Sequence, residues 1–264
     1  MFHKQCSRLY IFSIVFFNEQ EGILAVVKWK KQNAVAIVSM CNTANTMNKT
    51  FAQDFNCCLD QIESDTQVKS MILTALDEKN FSQGVDVAWV GEKLAGNQRQ
   101  EVIDFMYGMN DVFKRLLLFP VPVIAAINGH AFGNGAILAC ACDFRFMRKD
   151  KGFFCFPEVD LGILFLPGMI ALVRKAIPEH LFNHMLLSGR RMTAVDLEHA
   201  HVIVKACENQ EDLMKEAMAF AAGFDKQHAI FRELKTRVHK KVAQIMDEED
   251  PEYIDALNLF VTND

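Results

Sequence analysis

The stretch GHAFGNGAILACACDFRF, Gly129 to Phe146, sets three glycines and an asparagine ahead of a short apolar run. A glycine-rich turn before a helix brings unpaired backbone N–H groups and the positive end of the helix dipole to one place, which suits an anion. The anion is either a phosphate or an oxygen that acquires charge during a reaction. A dinucleotide-binding turn needs G-x-G-x-x-G, whose third glycine lets the helix lie close on its strand. Here Gly133-Asn134-Gly135 is followed three positions on by Leu138. A P-loop needs Gly-Lys-Ser/Thr, and none follows. What remains is a strand, a turn and the first turn of a buried helix, the construction of an oxyanion hole.

Outward from this turn, VIAAIN reads as the strand that enters it, AILACA as a buried helix, and FRFM and FFCF as β-like runs around RKDKG. Further upstream, the β-rich GILAVVKW and AVAIVSM are separated by the polar KKQN and predict a hairpin. Met47, Phe51, Phe55, Leu59 and Ile62 recur at helical spacing, VKSMILTAL reads as a buried strand, and DEKNFSQGVDVAWV as a loop. Val102, Phe105, Met109, Val112 and Leu116 mark a second helix, stopped by Pro120 and Pro122. From Pro178 the pattern is helical, through EHLFNHMLLSG, a capping box at Thr193 and Asp196, EDLMKEAMAF, IFRELKTRVHKKVAQIM and PEYIDALNLF. The expected division is an N-terminal extension over 1–21, an α/β core over 22–208 and a helical oligomerisation region over 209–264. The apolar faces from Gln210 onward, with Leu213, Met218, Phe220 and Phe224, are expected to bury against other subunits.

Composition bounds the function. At 264 residues, 51% hydrophobic and 23% charged, the chain is of globular rather than disordered type. Its 28 Lys and Arg against 33 Asp and Glu leave a net charge of −5, which repels a polyanion, so no nucleic acid is expected as partner. Among the eight cysteines, Cys57, Cys58, Cys140 and Cys142 sit in apolar periodic segments as buried thiols do, which fits a reducing compartment. Lys4 and Arg8 precede an apolar Leu9 to Phe17, but no small-residue cleavage site follows, so an extension is expected there rather than a targeting segment. No run is long enough to span a membrane. The ending LFVTND is not a peroxisomal Ser-Lys-Leu, and the expected location is cytoplasmic for a bacterial protein, mitochondrial or peroxisomal for a eukaryotic one. His180 and His184 have metal-ligand spacing, yet no Glu lies between them and no third ligand is apparent, so no metal is expected.

PVPVIAAINGHAFGNGAILACACDFRFM, taken with FSQGVDV and FPEVDLGI in that order and spacing, resembles the enoyl-CoA hydratase/isomerase, or crotonase, family. The resemblance runs from about Gly22 to an expected strand at Val202–Val204, with NTANTMN similar to the family's N-A-L-N segment and LLSGRRMTAVDL to a further family segment. It implies an α/β crotonase-like spiral of ββα units with a helical C-terminal trimerisation region, assembled as a homotrimer or a dimer of trimers. It also implies an acyl-CoA thioester substrate, with no cofactor beyond the coenzyme A that the substrate carries. The thioester carbonyl would sit between two backbone N–H groups, carried over by position to Gln83 and Asn134, with Gly84, Phe132, Gly133 and Ile137 around the substrate. Both donor positions depart from the small residue and the glycine usual in the family, and Asn134 would have to take up angles that glycine normally supplies.

Ile137 stands where hydratases of the family resemble one another in carrying the first of two glutamates, and Glu158 where they carry the second. An apolar side chain cannot hold a water or accept a proton, so half of a two-carboxylate hydration is missing. A double-bond shift needs one base, which removes a proton from the α carbon of an enolisable thioester and returns it at the γ carbon. The pattern is similar to 3,2-trans-enoyl-CoA isomerases of fatty acid degradation, with Glu158 as the shuttle. Burial beside FFCF and LGILFL should raise its pKa above the usual value of about 4.3. Asp86 and Asp160 read as caps or turn residues, and Asp143 as a residue fixing a strand entry. The competing expectations are a divergent hydratase or other acyl-CoA lyase using Asp86 or Asp160, and a catalytically silent trimer binding acyl-CoA or, through the basic FRELKTRVHKK, RNA.

Overall fold

The computed structural model describes residues 25–259. The N-terminal extension, the first residues of GILAVVKW and the last five residues lie outside them. β1 (Val27–Gln32) and β2 (Val35–Met40) pair antiparallel as the expected hairpin, turned by Asn33 at a left-handed φ of 54°. The strand extends through Lys30, Lys31 and Gln32, so most of KKQN is strand rather than turn. β1 is an edge strand, and lysines there discourage pairing with another chain.

A 3-10 turn at Thr43–Asn45 and β3 (Thr46–Met47) lead into α1 (Lys49–Ser64), capped by the Asn48 side chain on Phe51 N–H. β4 (Ser70–Ala75), β5 (Asn80–Ser82), β6 (Gly84–Val85), α2 (Val87–Ala95) and α3 (Arg99–Leu118) follow. Next come β7 (Val123–Ile127), β8 (His130–Phe132), α4 (Asn134–Ala141), β9 (Phe144–Arg148) and β10 (Phe154–Cys155). The remainder is α5 (Glu158–Leu161), α6 (Pro167–Arg174), α7 (Glu179–Ser188), α8 (Ala194–His199), β11 (Lys205–Cys207), α9 (Gln210–Ala222), α10 (His228–Glu248) and α11 (Asp250–Ala256). The capping box at Thr193 and Asp196 is present in full.

The large sheet has the order β1-β2-β4-β7-β9-β11, parallel except for β1. Two smaller parallel sheets, β10-β8-β5 and β3-β6, lie beside it. The chain spirals: each turn takes a strand of the large sheet, one or two short strands and then a helix, as in β2-β3-α1 and β7-β8-α4. Alternation along the strands buries both faces. Ala36, Val38, Leu73, Val123 and Ala125 join the main core with α1, α3, α4 and α6, whereas Ile37, Ile72, Ile124 and Ala126 face the other way.

That second face is covered by α9 through Leu213, Ala217 and Ala221. Leu213 is therefore fully buried within its own chain, and Phe220 and Phe224 pack on Phe144. This corrects the expectation that the apolar residues of α9 need other subunits: a parallel sheet has two faces to cover, and α9 covers one. The helical region from 209 thus shares its core with the strands. The expected strand at Val202–Val204 starts later, at Lys205, where pairing with Phe146 of β9 begins; Val202 and Ile203 are instead buried beside α8. Among the described residues seven cysteines are free, and Cys57 is exposed because it lies on the solvent side of α1. Cys58, Cys140 and Cys142 are buried.

α10 docks on the core by a buried ion pair. Lys235 Nζ lies 2.8 Å from Asp143 Oδ2 and also donates to the Leu116 carbonyl at 3.1 Å. The same carboxylate oxygen accepts the Val123 N–H at 2.8 Å, so Asp143 does fix the entry of β7.

Candidate active site

All eight residues of α4 are buried, so this short helix forms by packing rather than by propensity. The turn before it is made by Gly133, with φ 51° and ψ −123°. A Cβ at Gly133 would lie 2.6 Å from Glu158 Oε1, so only glycine fits both the angle and the space. Asn134, in contrast, does not have a positive φ and starts the helix. The expectation that Asn134 must imitate glycine is thereby corrected. Its N–H heads α4 without an intrahelical acceptor, while Ile137 N–H makes the first helical bond, to Gly133 O at 3.0 Å.

β6 passes in front of this helix end. Gly84 has φ 83°, and a Cβ there would come within 2.8 Å of Phe132 O and 3.2 Å of Asn134 N. The Gln83 N–H donates to Ala44 O at 3.0 Å and so is not free, a correction to its expected role. Its side-chain amide is engaged as well, with the Asn80 side chain. The bonds joining β6 to β3 use groups flanking Val85, as in Asp86 N–H to Met47 O at 2.9 Å. Val85 N–H therefore faces away from β3, the one strand paired with β6 among the described residues. Val85 and Asn134 both line one cleft. The sequence did contain a signal for Val85: parallel pairing alternates the direction of successive N–H groups, but the pairing partner had to be known first.

Glu158 opens α5 at the wall of that cleft and is 7% exposed. Its Oε2 has no hydrogen-bond partner, and burial pushes its pKa from 4.5 up to about 7. It is the one carboxylate among the described lining residues. Asn134 Nδ2 is also buried without a partner. The same cleft is also lined by the apolar Val90, Val102, Met106, Met169 and Leu259.

The other expected site residues divide between the cleft and positions outside it. Gly84 and Gly133 line the cleft, but Ile137 is turned into the core of α4's buried side and does not. Phe132 packs on His130, ring centroids 4.9 Å apart, with the Arg191 guanidinium 5.6 Å from its ring, and also does not line the cleft. Strand alternation puts its side chain on the same face of β8 as His130. Asp86 caps α2 by accepting from Trp89 N–H at 3.0 Å, and Asp160 is exposed near Gly189. His180 and His184 are exposed, and among the described residues no group of three or more His, Cys, Asp or Glu is placed to hold a metal. No helix of the described residues is long and apolar enough to cross a membrane.

The family model for enoyl-CoA hydratase/isomerase matches residues 30–259. The chain is similar to the peroxisomal enoyl-CoA delta isomerase 2 of Arabidopsis thaliana, with 34% identity over 159 residues, 58% of this chain and 65% of that protein. It is also similar to the short-chain-enoyl-CoA hydratase of Clostridium acetobutylicum, 29% identical over 205 residues, 77% of this chain and 72% of that one. A third relative is the mitochondrial Delta(3,5)-Delta(2,4)-dienoyl-CoA isomerase of Homo sapiens, 26% identical over 189 residues, 69% of this chain and 57% of that one. The chain thus spans between 57% and 72% of the length of these relatives. Among solved structures, an enoyl-CoA hydratase/isomerase family protein from Pseudomonas syringae superposes with a TM-score of 0.79 at 22% identity, over 87% of this chain and 97% of that one. The apo Mtb enoyl-CoA isomerase gives 0.77 at 20% identity, over 88% and 98%. At these identities the structural likeness is one of fold.

Proposed function

We propose, from the premise that this chain belongs to the enoyl-CoA hydratase/isomerase family, that it is an enoyl-CoA isomerase shifting the double bond of a 3-enoyl-CoA to the 2-trans position in fatty acid degradation. The observation that carries this reading is the lone, buried Glu158, its Oε2 without a partner, lying in the cleft beside the free end of α4. The thioester oxygen sits between the Val85 and Asn134 N–H groups, which strengthen their hold as the carbonyl becomes an enolate. Glu158 takes the proton from the α carbon, the electron pair moves into the thioester, and the carboxylic acid returns the proton at the γ carbon. No atom is gained or lost. With a pKa of about 7 the group is a much stronger base than an exposed carboxylate and still a competent acid for the return step.

The direct test is formation of the conjugated 2-enoyl thioester from a 3-enoyl-CoA, followed by its ultraviolet absorbance. Binding without conversion would remove the isomerase reading. The pH profile is a second check: kcat/KM is expected to rise as pH increases through about 7 and then level off, because the free enzyme must hold Glu158 ionised. A flat profile across that region would mean that another group is the base.

Water addition should be weak. The cleft offers one carboxylate where hydration uses two, with Ile137 in the other position and buried away from the cleft. Hydration of crotonyl-CoA at ordinary enzymatic turnover, on the order of 1 s⁻¹ or more, would replace isomerase by hydratase, an activity carried in the name of the Clostridium relative.

The reading includes a homotrimer or a dimer of trimers. Ile230, Leu234 and Val238 form an exposed apolar stripe at four-residue spacing on α10, and a neighbouring subunit would cover it. Sedimentation showing only monomer at micromolar concentration would contradict this.

A further inference from the structure

One residue of the cleft lining, Leu259, arrives from the far end of the chain. Three contacts pin α11 to α6 and α3. Asp250, fully buried, accepts the Gly168 N–H at 2.7 Å. The Tyr107 hydroxyl donates to Asp255 Oδ1 at 2.8 Å, and Arg99 donates to the Ala256 carbonyl at 3.4 Å. The chain then reverses through Leu257 at φ 52°, a left-handed conformation that a leucine avoids unless its surroundings enforce it. Here Asn258 N–H donates to Tyr253 O at 3.0 Å and Leu164 N–H to Leu259 O at 2.9 Å. The outcome is Leu259, 6% exposed, set into the cleft wall with Met106 and Met169.

We propose that Leu259 determines specificity by ending the acyl pocket, so that the enzyme favours acyl groups short enough to stop before it. This rests on the acyl-CoA reading of the cleft. The two methionines can shift rotamer and accommodate width. Leu259 cannot yield in the same way, because its backbone is tied to Leu164 and the strained reversal behind it is held by α11. A longer chain must either displace this side chain or leave its terminal methylenes in water. Each methylene given room in an apolar pocket improves binding by about fourfold, so space for two is worth roughly fifteenfold.

The test compares the full-length protein with Leu259→Ala and Leu259→Trp on a ladder of 3-enoyl-CoA thioesters of increasing length, reading kcat/KM, and on saturated acyl-CoA of the same lengths, reading Kd. Leu259→Ala is expected to raise the long-to-short preference roughly fifteenfold and Leu259→Trp to lower it. Opposite signs distinguish a pocket stop from general loosening, and the Trp variant carries the test if the Ala variant does not fold. Folded variants that keep the wild-type preference, or that both move in one direction, overturn the proposal and leave the isomerase reading standing. If no 3-enoyl-CoA is converted but the Kd values move as expected, the isomerase reading falls and the role of Leu259 stands. A wild-type protein that neither converts nor binds acyl-CoA of any length overturns both.

Discussion

Glu158→Gln is expected to lower isomerisation of a 3-enoyl-CoA by roughly 10²–10⁴-fold, the contribution of a positioned acid or base, while acyl-CoA continues to bind. Glutamine keeps the shape and a hydrogen-bonding capacity beside Gly133 but cannot carry the proton. Titration calorimetry with a saturated acyl-CoA and turnover on the unsaturated one separate the two effects. Retained turnover with intact binding would dismiss Glu158 as the shuttle, and lost binding in a folded protein would make it a structural carboxylate.

The same substitution should alter stability in the opposite sense. Glu158 has a folded pKa of about 7 against an ordinary 4.5, so the folded state holds its proton more tightly than the unfolded state. Stability therefore falls as pH rises from 4.5 to about 7, and the deficit persists above that range. Its size is on the order of 3 kcal/mol at most, from 1.36 kcal/mol per pKa unit. Glu158→Gln has no charge to desolvate and is expected to be more stable than wild type at alkaline pH, with the difference closing in acid. Urea unfolding at both pH values checks this. An enzyme that loses activity and gains stability through one substitution would be holding its base in an unfavourable environment for the sake of its basicity.

Lys235→Met is expected to cost about 3–5 kcal/mol, the usual consequence of removing one partner of a buried ion pair. The side chains of Lys235 and Asp143 are 6% and 12% exposed, so little solvent reaches the abandoned carboxylate. Desolvation holds the Lys235 pKa below the usual lysine value in spite of Asp143, which shows how costly this charge is to bury. Asp143 also receives Val123 N–H, so the disturbance reaches the start of β7, the strand that leads to Gly133 and the cleft. Adding Asp143→Asn should recover much of the loss, since neutral Asn still accepts that N–H. Chemical denaturation of the single and double variants measures both terms, and a single variant within about 1 kcal/mol of wild type would mean that water screens the pair.

Much of this architecture was legible in the chain itself. The spacing of Phe51, Phe55 and Leu59 marks α1, the Thr193 and Asp196 pair starts α8, and the unbroken apolar run of β7 and the apolar centre of β4 correspond to strands covered on both faces. The apolar neighbours of Glu158 in sequence already implied the direction of its pKa. These features are local: periodicity, caps and nearby burial are carried by residues within a few turns of one another.

Tertiary structure decided which groups are free. Gln83 and Val85 are two residues apart with equivalent backbones, and only the Ala44 carbonyl and the pairing of β6 with β3 use up the first N–H and leave the second facing away from β3. Likewise, the apolar face of α9 could cover a subunit or a sheet, and the sheet's second face claimed it. Leu259 reached the cleft only because α11 is anchored to Gly168 and Tyr107 and then reverses at Leu257. A sequence specifies donors, acceptors and apolar surface position by position, but which of them remain unsatisfied depends on partners brought from distant parts of the chain, and this cleft is made of those that remain.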